Sequence, residues 1–236
     1  MTHAELIAAM EATWPAAATT RHGPWTIRDG QGGGKRVSAA TALPGWHPTD
    51  LPQAEAAMTA LGQPPLFLIR GGDTALDETL AGQGYRVVDP VIGYAAPLAA
   101  LADVPPAPMT SFPHWPPMAI AESLWAEGGI GPARLAVMQR VHAPKTAILG
   151  RANDRAAGAA FVAIHGNIAM LHALEVTPTL RRQGSAHNIL RAAALWAQQN
   201  GADTLTLVVT VANDNARRLY ASLGMQPVGQ YHYRQK

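Results

Sequence analysis

Six consecutive residues between an apolar strand and a helix, Arg181 to Ala186, have the types and spacing for binding an anion. The strand reads as Leu171–Val176, and Pro178 ends it because proline has no N–H to give to a sheet. The helix is predicted over His187–Gln199. The first N–H groups of a helix have no partner within it, and the helix dipole adds positive charge there. This junction therefore predicts a site for a phosphate or diphosphate.

The side chains of this loop fit the same ligand. Arg181 and Arg182 add full positive charges, and Gly184 and Ala186 let a ligand approach the backbone closely. The remaining members, Gln183 and Ser185, are predicted to contact the ligand with them. The pattern is neither a Walker loop nor a Gly-x-Gly-x-x-Gly dinucleotide turn.

Two motifs together resemble the GNAT superfamily of N-acetyltransferases. Val176-Thr177-Pro178 followed by Arg181-x-x-Gly184-x-Ala186 is similar to the family's loop for the diphosphate of acetyl-CoA. Downstream, Asn213 to Met225 resembles the family's Asn-x-x-Ala-x-x-Leu-Tyr-x-x-x-Gly-Phe segment, with Met225 in place of Phe. The resemblance implies an α/β fold with a GNAT-like mixed central sheet flanked by helices. It also implies acetyl-CoA as co-substrate.

The resemblance assigns further residues to the reaction. The backbone groups of Leu174 and Val176 are expected beside the acetyl group and pantetheine, where the central strand splays from its neighbour. Tyr220 is the expected general acid, because a phenol can protonate a departing thiolate. Asn213 and Ala216 are expected beside the cofactor, although Asn213 is equally suited to capping the helix alone.

The general base has three candidates. His172 lies in Leu171-His172-Ala173-Leu174, which resembles the Leu-His-x-Leu of arylalkylamine N-acetyltransferases, with Met170 at the position of that family's second histidine. Glu175 would lie on the opposite strand face if the strand alternates regularly, and could act through a water molecule. Water alone is the third candidate, and a buried structural histidine is the alternative reading of His172.

The acceptor region is predicted from the turn between two helices at 118–125 and 132–142. By the resemblance, Trp125 and Gly129, within the Gly128–Gly131 loop, are candidates for substrate contact. The alternative is an ordinary helix–helix turn with Trp125 in the core. The expected acceptor is a primary amine of a small molecule or an amino acid.

Composition narrows the remaining possibilities. The 236 residues include 18 Lys or Arg, 16 Asp or Glu and no cysteine. Disulfide and thiolate chemistry are therefore excluded, and a reducing cytoplasm is expected. The sequence has no basic run, so we expect no nucleic-acid partner. It has neither a signal peptide nor an apolar segment long enough to span a membrane, so we expect no membrane partner. No two histidines have metal-binding spacing, so we expect no metal. A monomer or homodimer is expected.

An internal repeat is the last feature of the sequence. Gly84-Tyr85 precedes Gly224-Met225 by 140 positions (224 − 84 = 140), and Phe67–Ile69 matches Leu207–Val209 at the same offset. We therefore expect a degenerate GNAT-like domain at 1–100, a Pro-rich linker at 101–117 that resists helix and sheet, and a catalytic domain at 118–236, in a tandem arrangement.

One glycine cluster and two rival functions complete the predictions. Gly30–Gly34, between predicted strands at Trp25–Arg28 and Lys35–Thr41, is interpreted as a hairpin turn rather than a phosphate loop.

Two other functions are alternatives to an acetyl-CoA-dependent N-acetyltransferase. They are a non-catalytic acyl-CoA-binding regulatory module and a phosphate-binding protein of unrelated fold.

Overall fold

The computed structural model describes residues 1–236, in which helices and strands alternate. The helices are α1 (His3–Thr13), α2 (Lys35–Ser38), α3 (Leu51–Ala60), α4 (Thr74–Gly82), α5 (Leu98–Ala102), α6 (Ala119–Glu127), α7 (Pro132–Arg140), α8 (Ser185–Gln199) and α9 (Asp214–Ser222). The strands are β1 (Ala18–His22), β2 (Trp25–Asp29), β3 (Thr41–Ala42), β4 (Leu66–Ile69), β5 (Arg86–Pro97), β6 (Ser111–His114), β7 (Lys145–Ala152), β8 (Arg155–His165), β9 (Ile168–Val176), β10 (Thr204–Thr210) and β11 (Gln226–Gln235).

Eight strands form one mixed sheet in the order β4-β11-β5-β10-β9-β8-β7-β6, and β1-β2-β3 form a small second sheet. Only β9 and β10 run parallel; all other neighbours are antiparallel. None of the helices has the length and hydropathy to cross a membrane. The mixed α/β sheet with flanking helices is the architecture that the sequence predicts.

The two faces of the large sheet bury separate cores. Helix α8 covers one face because Ile189, Ala193 and Ala197 repeat at helical spacing and are fully buried. The ends of α1 and α6 cover the other face, where Trp14 and Trp125 pack with Phe161 of β8. Each core encloses one side of the central strands β8 and β9, so both faces of these strands are fixed in place.

The middle strands repeat one pairing pattern at the predicted offset. Leu207 of β10 pairs with Tyr94 of β5, and Phe67 of β4 pairs with Arg234 of β11. These pairs are related by 140 positions (207 − 67 = 140; 234 − 94 = 140). Each chain half thus places its last strand between two strands of the other half. The division into domains at 101–117 stays a prediction.

Two secondary-structure predictions are wrong. Lys35–Thr41 is not a strand, because the short helix α2 begins directly after Gly34 and only Thr41–Ala42 is extended. Val37 of α2 is fully buried, so tertiary packing overrides the local strand pattern. In the Pro-rich segment, Ser111–His114 forms strand β6; Pro113 is tolerated because β6 lies at the sheet edge.

Candidate active site

The central sheet opens between its two parallel strands. Pairing of β9 with β10 ends at Leu171 and Leu207, although β9 continues to Val176 and β10 to Thr210. The facing edges beyond these residues therefore have free peptide groups. Such an opening can admit an extended ligand that takes the place of a neighbouring strand.

A β-bulge in β9 lies at the start of this opening. Its register on β8 shifts between the pairs Phe161–His172 and Ala159–Glu175, and Ala173 has a φ of 52°. The indole Nε1 of Trp125 donates a hydrogen bond to the Ala173 carbonyl oxygen at 2.8 Å. Trp125 is fully buried, so it holds the bulge from within the core and presents no surface to a ligand. Gly129, the other predicted substrate contact, is exposed with a φ of 78°.

The bulge changes which strand face each candidate base occupies. His172 contacts Thr13 at the end of α1, while Glu175 packs against Gly128, where an added Cβ would lie 2.5 Å from the Glu175 Cγ. Both helices cover the same sheet face. The prediction that Glu175 and His172 lie on opposite faces is therefore wrong, because the extra residue interrupts the two-residue alternation.

The backbone of β9 beyond the bulge points alternately toward β8 and toward the opening. Thr177 donates its N–H to the Ala157 carbonyl oxygen of β8 at 2.9 Å. By strand alternation the Glu175 peptide faces β8, and those of Leu174 and Val176 face the opening. These are the two residues whose backbone groups the sequence predicts beside the acetyl group and pantetheine.

The loop Arg181–Ala186 leads from β9 into α8 and exposes its main chain. Gly184 is the N-cap of α8 with a φ of 82°, and a Cβ built there would contact nothing within 4 Å. The main-chain N–H groups of 183–187 donate to no acceptor in the chain. The buried Ser185 Oγ also has no hydrogen-bond partner. Several unpaired donors at a helix N-terminus fit a diphosphate.

Some side chains of this loop bond to the rest of the protein, and others remain available to a ligand. Arg181 folds back onto β9, where Nε donates to the Val176 carbonyl oxygen at 2.9 Å and a terminal nitrogen donates to Glu175 Oε1 at 3.1 Å. Gln183 accepts a hydrogen bond from Asn153 at 2.8 Å. Arg182 is exposed and makes no ion pair. Arg181 therefore supports the loop, and Arg182 is the free cation beside it.

Helix α9 carries the predicted acid and the predicted cap. Tyr220 is 5% exposed, and its ring centroid lies 5.8 Å from that of Tyr94. Burial raises the pKa of Tyr220 to about 12, so its phenol stays protonated at neutral pH. Asn213 caps the helix by accepting the Ala216 N–H at 3.1 Å, and Ala216 itself is half-buried.

His172 is enclosed and fully hydrogen-bonded. A terminal nitrogen of Arg36 lies 2.9 Å from Nδ1, and Thr13 Oγ1 lies 2.8 Å from Nε2. Because a guanidinium only donates, Nδ1 accepts, and Nε2–H donates to Thr13, whose hydroxyl donates to Ala9. Burial and the Arg36 charge hold the pKa of His172 well below its ordinary value. This geometry argues against His172 as the base, since both ring nitrogens are occupied.

Comparisons with known proteins decide the family of the chain. Residues 115–225 match the model of the acetyltransferase (GNAT) family. These residues therefore form an acetyltransferase domain of the GNAT family. The chain is 25% identical over 241 residues to the Bacillus subtilis (strain 168) protein named "Uncharacterized N-acetyltransferase YobR", with 95% of each chain covered.

Solved structures show the same fold. A GCN5-related N-acetyltransferase from Kribbella flavida is similar with a TM-score of 0.72 and 20% identity, over 99% of this chain and 95% of that one. A tandem GNAT protein from the clavulanic acid biosynthesis pathway is similar with a TM-score of 0.62 and 16% identity, over 84% of this chain and 74% of that one. The predicted GNAT-like mixed fold is thereby confirmed, and GNAT acetyltransferases use acetyl-CoA as donor.

The GNAT sheet opening borders a cavity of about 230 Å³ that sequence reasoning missed. Ala173 of β9 and Val208–Thr210 of β10 line one side. The rest of its wall comes from distant segments: Gly33–Arg36, Asp89, Val91, Ile130, Arg134, Tyr231 and Tyr233 among them. The glycines before Lys35 and Arg36 were the available signal, but they resembled a plain hairpin turn.

The enclosed His172 predicts an acid-sensitive fold for this GNAT protein. Its pKa is lowered in the folded state, so the unfolded state binds the extra proton and stability falls as pH drops below about 6.5. Between pH 7.5 and pH 5, His172 should therefore contribute a loss in the free energy of unfolding. Urea unfolding at both pH values measures this loss. It should shrink in His172→Gln and persist in His165→Gln, an exposed control; equal losses in both variants would contradict the assignment.

Proposed function

We propose that this GNAT protein transfers an acetyl group from acetyl-CoA to a primary amine of a small molecule by direct attack. One observation carries the proposal. The opened edge of β9 leads at its end into the loop Arg181–Ala186, and the same opening borders the half-open cavity at Ala173. A donor that follows the strand edge would therefore bring its reactive end to the cavity wall.

The donor side of the site is formed by backbone groups. The N–H groups of Gln183–His187, with Arg182 and the Ser185 hydroxyl, would hold the diphosphate of acetyl-CoA. The peptide groups of Leu174 and Val176 would hold the pantetheine and the acetyl carbonyl at the strand edge. Asn213 and Ala216 at the start of α9 would border the same ligand. Acetyl-CoA, when bound, supplies the acetyl group as an activated thioester.

Tyr220 would provide the acid for the leaving thiolate. The phenol keeps its proton because burial raises its pKa to about 12. An N–H group at the strand edge would polarise the acetyl carbonyl as negative charge develops on its oxygen. The two groups together account for carbonyl activation and thiolate protonation.

Water is the base that the geometry favours. The nitrogens of His172 are engaged by Arg36 and Thr13, and the Glu175 carboxylate pairs with Arg181. The acceptor amine would then lose its proton to solvent before attack. Glu175→Gln should consequently change kcat by less than about threefold, measured by thiol release, whereas general-base groups contribute about 100-fold or more. A loss of that size, with the folded state intact by circular dichroism, would restore Glu175 as the base.

The cavity supports a small acceptor rather than a protein chain. Its volume of about 230 Å³ is below the roughly 300–1,000 Å³ of pockets for drug-sized ligands. The cavity is also lined by residues from the first 100 positions, including Arg36 and Asp89. We propose that the N-terminal half is a degenerate GNAT-like unit that walls the acceptor site, which the repeated strand register supports.

The experiment that tests the function is thiol release from acetyl-CoA in the presence of a panel of small amines. Amine-dependent release above the rate without amine supports the enzyme. Binding of CoA measured by calorimetry, with no release for any amine, would favour the non-catalytic acyl-CoA-binding module instead. The cytoplasmic location and the monomeric or homodimeric state stay predictions.

A further inference from the structure

We infer that the acceptor carries a carboxylate beside its amine, as an amino acid does, and that Arg36 and Arg134 recognise it. This inference rests on the proposed function, because it concerns the cavity at the sheet opening. Three cationic side chains line that cavity, Lys35, Arg36 and Arg134, against one carboxylate, that of Asp89. A concave site with this surplus of positive charge favours a ligand with negative charge.

Arg36 is held in the cavity wall without a carboxylate partner. One terminal nitrogen donates to Nδ1 of the neutral His172, and its guanidinium carbon lies 5.2 Å from the centroid of the Trp14 ring. Neither contact neutralises its charge. A guanidinium has five N–H donors in a planar fork, so Arg36 keeps donors for a ligand while His172 and Trp14 fix its orientation.

Arg134 and the Lys35–Asp89 pair complete the charge pattern. Lys35 Nζ lies 2.7 Å from Asp89 Oδ2, so these two charges compensate each other. Arg134, which is exposed at the start of α7, makes no ion pair, and its guanidinium lies beside the backbone of Gly34. The two arginines therefore supply the uncompensated charge, and a bidentate carboxylate is the group that an arginine fork matches best.

The rest of the cavity wall is largely apolar and suits the side chain of an amino acid. Val91, Ile130 and Val208 are apolar, and Tyr231 and Tyr233 add two largely buried aromatic rings. The cavity thus combines cationic and apolar walls at the place where Ala173 borders the sheet opening. An amino acid could direct its carboxylate to the arginines and its side chain to the apolar wall, with its amine toward the opening.

The test compares the twenty common L-amino acids with the corresponding L-amino acid amides, by thiol release from acetyl-CoA. We expect at least one acid to exceed its amide at least tenfold in kcat/KM, although the amide is no poorer as a nucleophile. In Arg134→Gln that acid-to-amide ratio should fall at least tenfold through a higher KM for the acid. Arg134→Lys should retain part of the preference, because it keeps the charge and loses the fork.

Arg155→Gln is the matched control, because Arg155 is an exposed arginine of β8 outside the cavity. The acid-to-amide ratio of kcat/KM in this variant should equal that of the parent protein. Acids and amides turned over equally would overturn the inference while leaving acetyl transfer in place. If no amine releases thiol, the proposed function fails, and calorimetry with the same compounds decides the inference. Tighter binding of acids than amides, lost in Arg134→Gln, would support it; equal or absent binding would overturn it.

Discussion

Gly184→Val should weaken acetyl-CoA binding at least a hundredfold while leaving the protein folded. Gly184 is exposed at the start of α8, and the space above it is open, so a valine side chain would extend into the place of the diphosphate. It would shield several of the free N–H groups of 183–187. Losing two hydrogen bonds to a charged group, at about 1.5–3 kcal/mol each, corresponds to at least about a hundredfold in Kd.

The same helix offers a matched control for this substitution. Gly201, just after the C-terminal end of α8, is also exposed, has a φ of 88°, and has no atom within 4 Å of a built Cβ. Gly201→Val should therefore suffer the same left-handed backbone strain of about 1–2 kcal/mol without loss of CoA binding. Calorimetry measures the Kd for acetyl-CoA, and thermal unfolding measures the destabilisation that both valine variants should show. Unchanged affinity in Gly184→Val would remove the loop from the binding site.

Tyr220→Phe should lower kcat by about a hundred- to a thousandfold, with little change in the KM for acetyl-CoA. As the proposed general acid, the phenol would act only when the thiolate leaves, and general acids contribute about 10²–10⁴-fold. Removing one hydroxyl keeps the ring that packs against Tyr94 in the core, so the fold should be preserved. Steady-state thiol release measures both parameters.

The pH profile gives this prediction a second readout. Because burial raises the pKa of Tyr220 to about 12, the phenol stays protonated across the accessible range, and kcat should not fall between pH 7 and pH 10. A tyrosine at its ordinary pKa of about 10 would lose half its activity at the top of this range. Over the same range kcat/KM should rise with pH as the acceptor amine loses its proton to solvent.

Tyr94→Phe is the control for the acid, because Tyr94 lies in the same buried cluster as Tyr220. Its kcat should stay within about threefold of the parent, below the range of general-acid contributions. An equal drop in both variants would mean that the loss comes from core packing. An unaffected kcat in Tyr220→Phe would assign thiolate protonation to another group.

The secondary structure around Gly184 agrees with the prediction from local sequence. The strand, loop and helix around Gly184 depend on neighbouring residues, namely an apolar run, a proline, a glycine at positive φ and a helix start. The cap at Asn213 follows from the same short-range hydrogen bonding. Because motifs of this kind are contiguous, the two that resemble GNAT sequences were sufficient for the fold.

The roles of Trp125, His172 and Glu175 depend on contacts between distant parts of the chain. Trp125 bonds to Ala173, 48 positions away, and so supports the bulge that brings Glu175 to the face of His172. A prediction from sequence periodicity assumes a regular strand, so it does not include the extra residue of the β-bulge in β9. Arg36 occupies a ring nitrogen of His172 from 136 positions away, and no local signal contains that contact.

The sequence by itself therefore determined the family, the mixed α/β fold and the stretch predicted to bind the donor, because these follow from short contiguous patterns of polarity and backbone preference. Only the tertiary structure decided which strand face Glu175 occupies, which groups enclose His172, and which cations line the cavity at the sheet opening. These features arise where Gly33–Arg36, Arg134 and β11 meet the opening between β9 and β10. Their positions are set by long-range packing, and residues that are distant in the chain leave no joint pattern in a single sequence.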